Sequence, residues 1–290
     1  MPLEVRFPAR ATSWLLRTRR LELPRRPLVM GVVNVTPDSF SDGGRFDSPA
    51  AAVEQGLRLI EQGADLLDVG GESTRPYAEA VAAEEELRRV IPVVAELSRR
   101  AAVPISIDTS KARVAREAVN AGAEIINDIT ALAGDPAMPE VARETRAGVC
   151  AMHMQGTPQT MQDNPSYADV VAEVLAYLRE RRRWLVAAGI DPERLALDPG
   201  IGFGKTHQHN LTLLSHCDRF HELGSPLVVG PSRKGFIAKI LQDKQADRTA
   251  GTIGVALSLA SQGVQILRVH DVEPVSQALL LYEATGGIER

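Results

Sequence analysis

Eight short apolar runs, each ended by polar residues and followed by a helical stretch, constrain the fold of this 290-residue chain most strongly. The run LVMGVV ends at Asn34, and later runs end at positions such as Asp108, Asn127 and Asp198. A β run followed by a helix, repeated in this way, predicts parallel strands joined by right-handed crossovers. Eight such units predict an α/β fold of the (β/α)8 TIM barrel type, whose functional residues lie at the carboxyl ends of the strands.

The chain divides into a short basic segment and one long repeating region. Residues 1–27 contain seven arginines but only two glutamates, and the segments EVRF and RLEL within them have the composition of short strands. We expect this segment to form a strand or hairpin extension that closes the bottom of the barrel. A basic arm that binds nucleic acid is the alternative, but the segment has no repeat with interleaved stacking aromatic residues. Residues 28–290 are expected to form a single barrel domain.

Bulk composition narrows the class of protein. Hydrophobic residues make up 44% of the chain but aromatic residues only 4%, which predicts an interior of Val, Ile, Leu and Ala, as in parallel barrels. A net charge of −4 gives no general affinity for nucleic acid or for anionic membranes. No run approaches the roughly 18 apolar residues of a membrane span, and the N-terminus lacks the apolar core of a signal peptide. Cys150 and Cys217 follow no metal-ligand spacing, so we expect free thiols in a cytoplasmic enzyme.

Acidic and amide side chains end the third, fourth and sixth predicted strands. Asp108, Asn127 and Asp198 should therefore point into the mouth of the barrel. A partly buried carboxylate is costly unless it accepts hydrogen bonds. A flat heterocycle with adjacent N–H groups, such as a guanidine-like edge, would supply those bonds. The structural alternatives are helix capping by Asp108 and an ordinary strand-to-loop turn at Asn127.

Basic side chains follow the last two predicted strands. Lys234 lies after the seventh strand with Arg233 beside it, and Arg268 and His270 end the eighth. TIM barrels often bind phosphate at the loops that follow these two strands. We therefore expect an anion site here, and a salt-bridged rim is the alternative.

Three further features bear on ligands. Asn34 and the loop residue Asp38 offer oxygen ligands for a Mg²⁺ ion that phosphates already carry, although both are also ordinary loop residues. The stretch GIGFGKT at 200–206 fails both the P-loop and the dinucleotide-binding spacings. It still suits a turn whose backbone approaches a flat ligand, with Phe203 as a stacking face. His153, flanked by methionines, is more typical of a packed core histidine than of a catalyst.

Eight motifs carry a resemblance to a known family. They are, in chain order, MGVVNVTPDSFSDGG, DVGGESTRP, ISIDTSK, IINDI, MHMQGTPQTMQ, LDPGIGFGKT, VVGPSRKGFI and RVHDV. With them the chain resembles the bacterial dihydropteroate synthases from about Leu28 to about Thr285. The resemblance implies a transferase of folate biosynthesis that condenses (7,8-dihydropterin-6-yl)methyl diphosphate with 4-aminobenzoate, giving 7,8-dihydropteroate and diphosphate. It also implies a Mg²⁺ cofactor, a homodimer, and small-molecule partners that sulfonamides imitate, rather than nucleic acid or membrane.

The resemblance assigns roles to particular positions. The residues implied to bind the pterin are Asp108, Asn127, Met152, Asp198 and Lys234. Those implied to bind the diphosphate are Asn34, Thr74, Arg268 and His270, with Asn34 as a Mg²⁺ ligand and Asp38 as a further candidate ligand. Those implied to enclose 4-aminobenzoate are Thr36, Pro37, Ser73, Arg75, Pro76, Phe203, Pro231 and Ser232. The expected catalytic groups, which would stabilise charge as the diphosphate leaves, are Arg268, His270, Lys234 and Asp108.

Two other functions stay open at this point. A methyltetrahydrofolate-dependent corrinoid methyltransferase would share the acids that bind a pterin, but it needs no diphosphate site, so the basic cluster argues against it. A non-catalytic pterin-binding paralogue would be expected to have lost a mouth loop or the basic cluster, and the sequence shows neither loss.

Overall fold

Strands and helices alternate along the chain and close into a barrel, which confirms the predicted fold. A computed structural model describes residues 6–36, 49–74 and 77–288. Its strands are β1 (Ser13–Leu15), β2 (Arg20–Glu22), β3 (Leu28–Asn34), β4 (Leu66–Gly70), β5 (Ile105–Asp108), β6 (Ile125–Asp128), β7 (Gly148–Met152), β8 (Leu195–Asp198), β9 (Val228–Val229) and β10 (Ile266–Val269). Strands β3 to β10 are parallel, and β3 pairs with both β4 and β10. A parallel bridge between Leu197 and Leu227 joins β8 to the start of β9 and completes the ring.

The helices cover the outside of the barrel. They are α1 (Pro49–Glu61), α2 (Ala83–Arg100), α3 (Ala112–Asn120), α4 (Met138–Thr145), α5 (Val170–Ala187), α6 (His207–Leu214), α7 (Gly235–Ile240), α8 (Thr249–Ser261) and α9 (Val272–Ala284). Helix α2 illustrates why they form: Val90, Val94 and Leu97 are buried and repeat at the helical spacing. Its acidic first turn and basic last turn also oppose the partial charges at the helix ends.

The barrel interior changes from apolar to polar along its axis. Side chains of a strand alternate between the interior and the helix-facing side. At the beginning of the strands the interior positions form an apolar cluster that includes Leu28, Leu66, Ile125, Val228 and Ile266. By the same alternation, interior positions near the strand ends are polar, namely Asp68, Asp108, Asn127, Asp198 and Arg268. The mouth of the barrel is therefore where charged side chains converge.

The N-terminal segment closes the opposite end, as predicted. Strands β1 and β2 form an antiparallel hairpin, and Trp14 and Leu16 are fully buried in the same cluster as the strand beginnings. The indole Nε1 of Trp14 donates a hydrogen bond to the carbonyl of Arg194 at 2.8 Å. The first strand lies later than expected: Phe7 of EVRF is not in a strand, and residues 1–5 lie outside the described part.

The arginines of this segment are not simply solvated. Arg17 donates to the carbonyl of Val119 at 2.7 Å, and Arg19 donates to that of Ala102 at 2.8 Å. Val119 lies in the last turn of α3, and Ala102 lies just after the C-terminal end of α2. The arginines of this segment therefore help to fix it to the bottom of the barrel.

Both cysteines, Cys150 and Cys217, are buried free thiols, as expected. Within residues 6–36, 49–74 and 77–288, no helix combines the length and apolar character needed to cross a bilayer.

Candidate active site

A cavity of about 540 Å³ opens at the carboxyl ends of the barrel strands. Its walls include residues that the sequence predicts for the pterin, the diphosphate and the aminobenzoate. These are Asn34, Thr36, Ser73, Thr74, Asp108, Phe203, Ser232, Lys234, Arg268 and His270. The fold thus brings together side chains that are up to 236 positions apart between Asn34 and His270.

Four further predicted residues are buried beside the residues that line the cavity. They are Asn127, Met152, Asp198 and Pro231, and Asn127 is the register partner of the lining residue Asp108. Met152 is the register partner of Asp198 on the neighbouring strand, and Pro231 precedes the lining residue Ser232. The remaining predicted positions lie outside the described residues: Pro37, Asp38, Arg75 and Pro76.

A buried network joins Arg268 to the acids of the middle strands. Its Nε donates to Asp68 Oδ2 at 2.6 Å, and its Nη2 donates to Asp108 Oδ2 at 2.8 Å. The amide Nδ2 of Asn127 donates to the same oxygen of Asp68 at 3.0 Å. Burial raises the pKa of Asp108 to about 7, although the positive charge of Arg268 acts in the other direction. Burial in this network therefore favours the protonated form of Asp108 more than exposure to water would.

Asp68 is a residue of this network that the sequence analysis missed. It is fully buried in the middle of β4, and its Oδ1 has no hydrogen-bond partner among the described residues. The alternation along β4 is the signal that could have found it, since Asp68 lies two positions after the interior residue Leu66.

Asp198 also lies near positive charges, namely those of Lys234, Lys205 and Arg268. Its Oδ1 accepts a hydrogen bond from the backbone N–H of Gly200 at 2.7 Å. Burial raises the pKa of its carboxyl to about 6, against the opposing effect of Gly200, Lys234, Lys205 and Arg268. The direct hydrogen bond from Arg268 to Asp108 shows that an acid of the middle strands and the arginine of the last strand converge, as expected. Against the effect of burial, the charge of Arg268 also lowers the pKa of Asp198.

Lys234 and Phe203 form another wall of the cavity. The Nζ of Lys234 lies 4.5 Å from the centre of the Phe203 ring, a cation–π contact. Burial lowers the pKa of Lys234 to about 8, and the charge of Arg268 lowers it further. The GIGFGKT turn that carries Phe203 needs its glycines: at Gly200, whose φ is 71°, a Cβ would lie 1.9 Å from the carbonyl oxygen of His153. The sequence prediction of a close-packed turn with Phe203 facing the site is consistent with this geometry.

His270 and Ser232 are joined by hydrogen bonds. The backbone N–H of His270 donates to Ser232 Oγ at 3.2 Å, and its Nδ1 lies 3.1 Å from the same hydroxyl. Burial lowers the pKa of His270 to about 3, and neighbouring Arg268 adds to the effect. Burial and the neighbouring cations thus favour the neutral imidazole, which offers an anion a single N–H donor.

Arg233 lies at the rim of the cavity. It has a positive φ of 56°, and its Nε donates to Asp271 Oδ2 at 2.9 Å. For this residue the salt-bridged alternative to an anion site is the one that the structure supports.

Several lining residues were not singled out by the sequence. They are Glu72, Met161, Gln162, Lys205, His207, Asn210, Phe236 and Arg248. Lys205 belongs to the GIGFGKT turn, so its place in the sequence is the signal that could have found it. Its Nζ lies 2.9 Å from Nδ1 of His153, which is buried and packed against Tyr177, as expected for a core histidine.

Two loops of the mouth contact each other. The backbone N–H of Tyr77 donates to the carbonyl of Pro158 at 3.1 Å, and Gln159 Nε2 donates to the carbonyl of Ala78 at 3.2 Å. The loop after β4, which carries Ser73 and Thr74, is thus connected to the loop after β7. No group of three or more His, Cys, Asp or Glu side chains in the described ranges is arranged to hold a metal ion.

Comparison with known proteins agrees with this geometry. The family model described as "pterin binding enzyme" matches residues 30–270. The chain is 50% identical over 259 residues to the dihydropteroate synthase of Escherichia coli (strain K12), which covers 89% of this chain and 92% of that protein.

Solved structures are similar as well. A Yersinia pestis dihydropteroate synthase with a sulfonamide drug complex has a TM-score of 0.89 and 45% identity, covering 94% of this chain and 98% of its own. A Xanthomonas albilineans dihydropteroate synthase in complex with 7,8-dihydropteroate has a TM-score of 0.85 and 46% identity, with 94% and 98% coverage.

Proposed function

This chain belongs to the dihydropteroate synthase family of pterin-binding enzymes, and we propose how its described residues carry out that family's reaction. It is a transferase of folate biosynthesis that condenses (7,8-dihydropterin-6-yl)methyl diphosphate with 4-aminobenzoate, giving 7,8-dihydropteroate and diphosphate. The observation that carries the assignment of residues is the direct bond between Arg268 and Asp108 within one cavity. An acid suited to a nitrogenous ring and a cation suited to a polyanion lie side by side there.

The pterin ring is assigned to the acidic side of the cavity. Asp108 and Asp198 would accept hydrogen bonds from adjacent ring N–H groups, and Asn127 can both donate and accept. Among the described residues, Asp198 Oδ1 accepts from Gly200 and Asp108 Oδ2 accepts from Arg268, which leaves the second oxygen of each carboxylate as a further acceptor. Because an unpaired buried carboxylate is costly, a ring that supplies N–H donors gains binding energy from these positions.

The diphosphate is assigned to Arg268, His270, Asn34 and Thr74. Arg268 uses two of its five N–H groups on Asp68 and Asp108, so it has donors left for phosphate oxygens. Its guanidinium is held by two carboxylates before the ligand arrives. Donors fixed in this way stabilise the charge that gathers on a leaving group without reorganising during the reaction.

The aminobenzoate is assigned to the cavity residues Phe203 and Ser232, together with Thr36 and Ser73. As the C–O bond to the diphosphate breaks, the aryl amine forms the new C–N bond with the pterin methylene. The amine then releases its proton to water or to the departing diphosphate. This sequence requires no covalent enzyme intermediate, and the cavity supplies mainly orientation and charge stabilisation.

A Mg²⁺ ion is proposed to accompany the diphosphate. Mg²⁺ usually keeps several waters and binds one or two protein oxygens together with substrate phosphates. The donor set fits such an ion: Asn34 lines the cavity at the end of β3, and the described residues form no cluster of acids that would cage a metal. Asn34 would hold the ion through its amide oxygen, and the ion would neutralise part of the charge of the diphosphate.

We also propose that the molecule is a homodimer. Helices α8 and α9 lie next to each other, and Leu280 and Leu281 of α9 are 50% and 67% exposed. Exposed leucines on a helix that packs beside the largely apolar α8 form a patch that a second copy would cover.

We also propose that residues 28–290 form one domain, with 1–27 as an accessory segment.

The function is tested by following product formation with purified protein. The account predicts that dihydropteroate and diphosphate form in equal amounts, that both substrates and Mg²⁺ are required, and that a sulfonamide competes with 4-aminobenzoate. Binding of the pterin diphosphate without turnover would favour the non-catalytic paralogue. Methyl transfer from methyltetrahydrofolate to a corrinoid protein would favour the methyltransferase.

A further inference from the structure

Lys205 lines the cavity, and no step of the proposed reaction uses it. Its side chain is almost fully buried, with 2% exposure. Its Nζ lies 2.9 Å from His153 Nδ1, 2.9 Å from the carbonyl oxygen of Phe203 and 3.4 Å from the carbonyl oxygen of His153. A lysine ammonium has three donors and no acceptor, so these acceptors use its full capacity.

The hydrogen bond from Lys205 to the carbonyl of Phe203 affects the site, because Phe203 lines the cavity. Phe203 lies between Gly202 and Gly204, whose φ angles are 87° and 61°. Glycine on both sides leaves the backbone direction at Phe203 weakly determined by local preference. The N–H of Phe203 donates to the carbonyl of Gly200 at 3.1 Å. Gly202 is held by Asn210 and Gln162, but among the described residues the carbonyl of Phe203 accepts a hydrogen bond from Lys205 alone.

We propose that Lys205 is a positioning residue that fixes Phe203, and with it the wall proposed to receive 4-aminobenzoate. The inference rests on the proposed function. Lys205 connects the glycine-rich turn after β8 to the end of β7 through His153, so the turn is anchored to the barrel at the level of the cavity. The ring of Phe203 in turn contacts Lys234 at 4.5 Å, which carries the positioning effect to the cavity surface.

An electrostatic effect of Lys205 on the pterin site is the competing explanation. Lys205 also acts on the buried carboxylate of Asp198, which is assigned to the pterin. If that route dominated, loss of Lys205 would weaken binding of the pterin diphosphate. The two routes therefore predict effects on different substrates, and steady-state kinetics separates them.

The test compares Lys205→Met, which cannot donate, with Lys205→Arg, which keeps charge and donors. For Lys205→Met we expect the KM for 4-aminobenzoate to rise about tenfold or more, and the KM for the pterin diphosphate to change less than about threefold. Lys205→Arg should recover part of the loss. Lys239→Met, which removes an exposed lysine of α7, is the matched control and should change neither constant.

A double-mutant cycle with Phe203→Leu tests directly whether Lys205 acts through the Phe203 ring. If Lys205 acts through the Phe203 ring, Lys205→Met should have less than about a twofold effect on the KM for 4-aminobenzoate in the Phe203→Leu background. Circular dichroism verifies that each variant is folded. Should Lys205→Met fail to fold, Lys205→Gln separates the two routes instead, because it keeps a donor but no charge. The positioning route predicts a KM for 4-aminobenzoate within about threefold of wild type, and a rise confined to the KM for the pterin diphosphate would overturn it.

The outcomes separate this inference from the proposed function. A wild-type protein that makes no dihydropteroate counts against the proposed function. An active wild type whose Lys205→Met variant has an unchanged KM for 4-aminobenzoate overturns the inference alone. So does a rise confined to the pterin diphosphate, or an effect that is undiminished in the Phe203→Leu background.

Discussion

Arg268 Nη2 donates a hydrogen bond to Asp108 Oδ2 at 2.8 Å, although β4 and β3 lie between the strands that carry them. The bond therefore spans the mouth of the barrel rather than following one edge of the sheet. In the proposed reaction Asp108 binds the ring and Arg268 the diphosphate, so their bond lies where the two halves of the substrate join. That is where the C–O bond has to break.

Asp68 should be necessary for activity because it holds Arg268 through Nε while Asp108 holds it through Nη2. Asp68→Asn removes the charge that balances the guanidinium and should lower kcat/KM about 100-fold. Asp65→Asn is the matched control: Asp65 lies just before β4, and its carboxylate accepts from the N–H of Val29 at 2.8 Å, at the barrel bottom. That variant should change kcat/KM less than about threefold. Equal losses in the two variants would refute a specific role for Asp68.

Pterin binding should depend on pH in both directions. Burial raises the pKa of Asp198 to about 6 and that of Asp108 to about 7, so below these values the carboxyls are protonated and accept ring N–H groups less well. Burial lowers the pKa of Lys234 to about 8, so above that pH the positive charge is lost. We expect a dihydropterin without a diphosphate to bind most tightly between the pKa of Asp108 and that of Lys234, as measured by equilibrium titration. Lys234→Arg should remove the alkaline decline, since arginine stays protonated. An affinity that does not change from acid to alkaline pH would contradict this assignment.

The N-terminal hairpin should contribute to stability and not to chemistry. Trp14→Ala empties a fully buried position and removes the bond to the Arg194 carbonyl. It should lower the free energy of unfolding by about 3–5 kcal/mol, measured by urea denaturation, with kcat/KM unchanged in the folded protein. Trp184→Ala, at a tryptophan that is 48% exposed, should cost less than about 1 kcal/mol. If the two variants were equally stable, the hairpin would not be part of the barrel core.

The proposed dimer should depend on the leucines of α9. Leu281→Glu introduces a charge at a position that is 67% exposed in the single chain, and we expect sedimentation equilibrium to report the mass of a monomer. Trp184→Glu, on α5, should leave the mass at that of a dimer. A dimer that persists in Leu281→Glu would mean that another surface joins the copies.

Much of the site could be predicted because polar residues interrupt apolar runs at the strand ends. Asp108, Asp198 and Arg268 stand out in this way, and parallel strands bring their ends together. Asp68 does not stand out, because it lies inside an apolar run rather than at its end. Only the alternation along β4 marks it as an interior residue.

Other features depend on contacts between distant segments. The neutral state of His270 follows from burial among Arg268 and Lys234, which no local pattern reveals. The bond from Lys205 to His153 joins residues 52 positions apart, so the sequence shows a lysine in a glycine-rich turn but not its partner. Strand β1 escaped prediction because a three-residue strand is set by its packing on the barrel, not by its own propensity.

The central claim, that ring and diphosphate are bound by different residues of one cavity, is tested most directly by comparing two ligands. One is the dihydropterin methyl diphosphate and the other the same pterin with a hydroxymethyl group, each titrated into wild type, Asp198→Asn and Arg268→Lys. Asp198→Asn should weaken both ligands by the same factor. In wild type the diphosphate ligand should bind more tightly than the hydroxymethyl ligand, and Arg268→Lys should reduce this affinity advantage about tenfold or more. An unchanged advantage in Arg268→Lys, or wild-type affinity for both ligands in Asp198→Asn, would contradict the account.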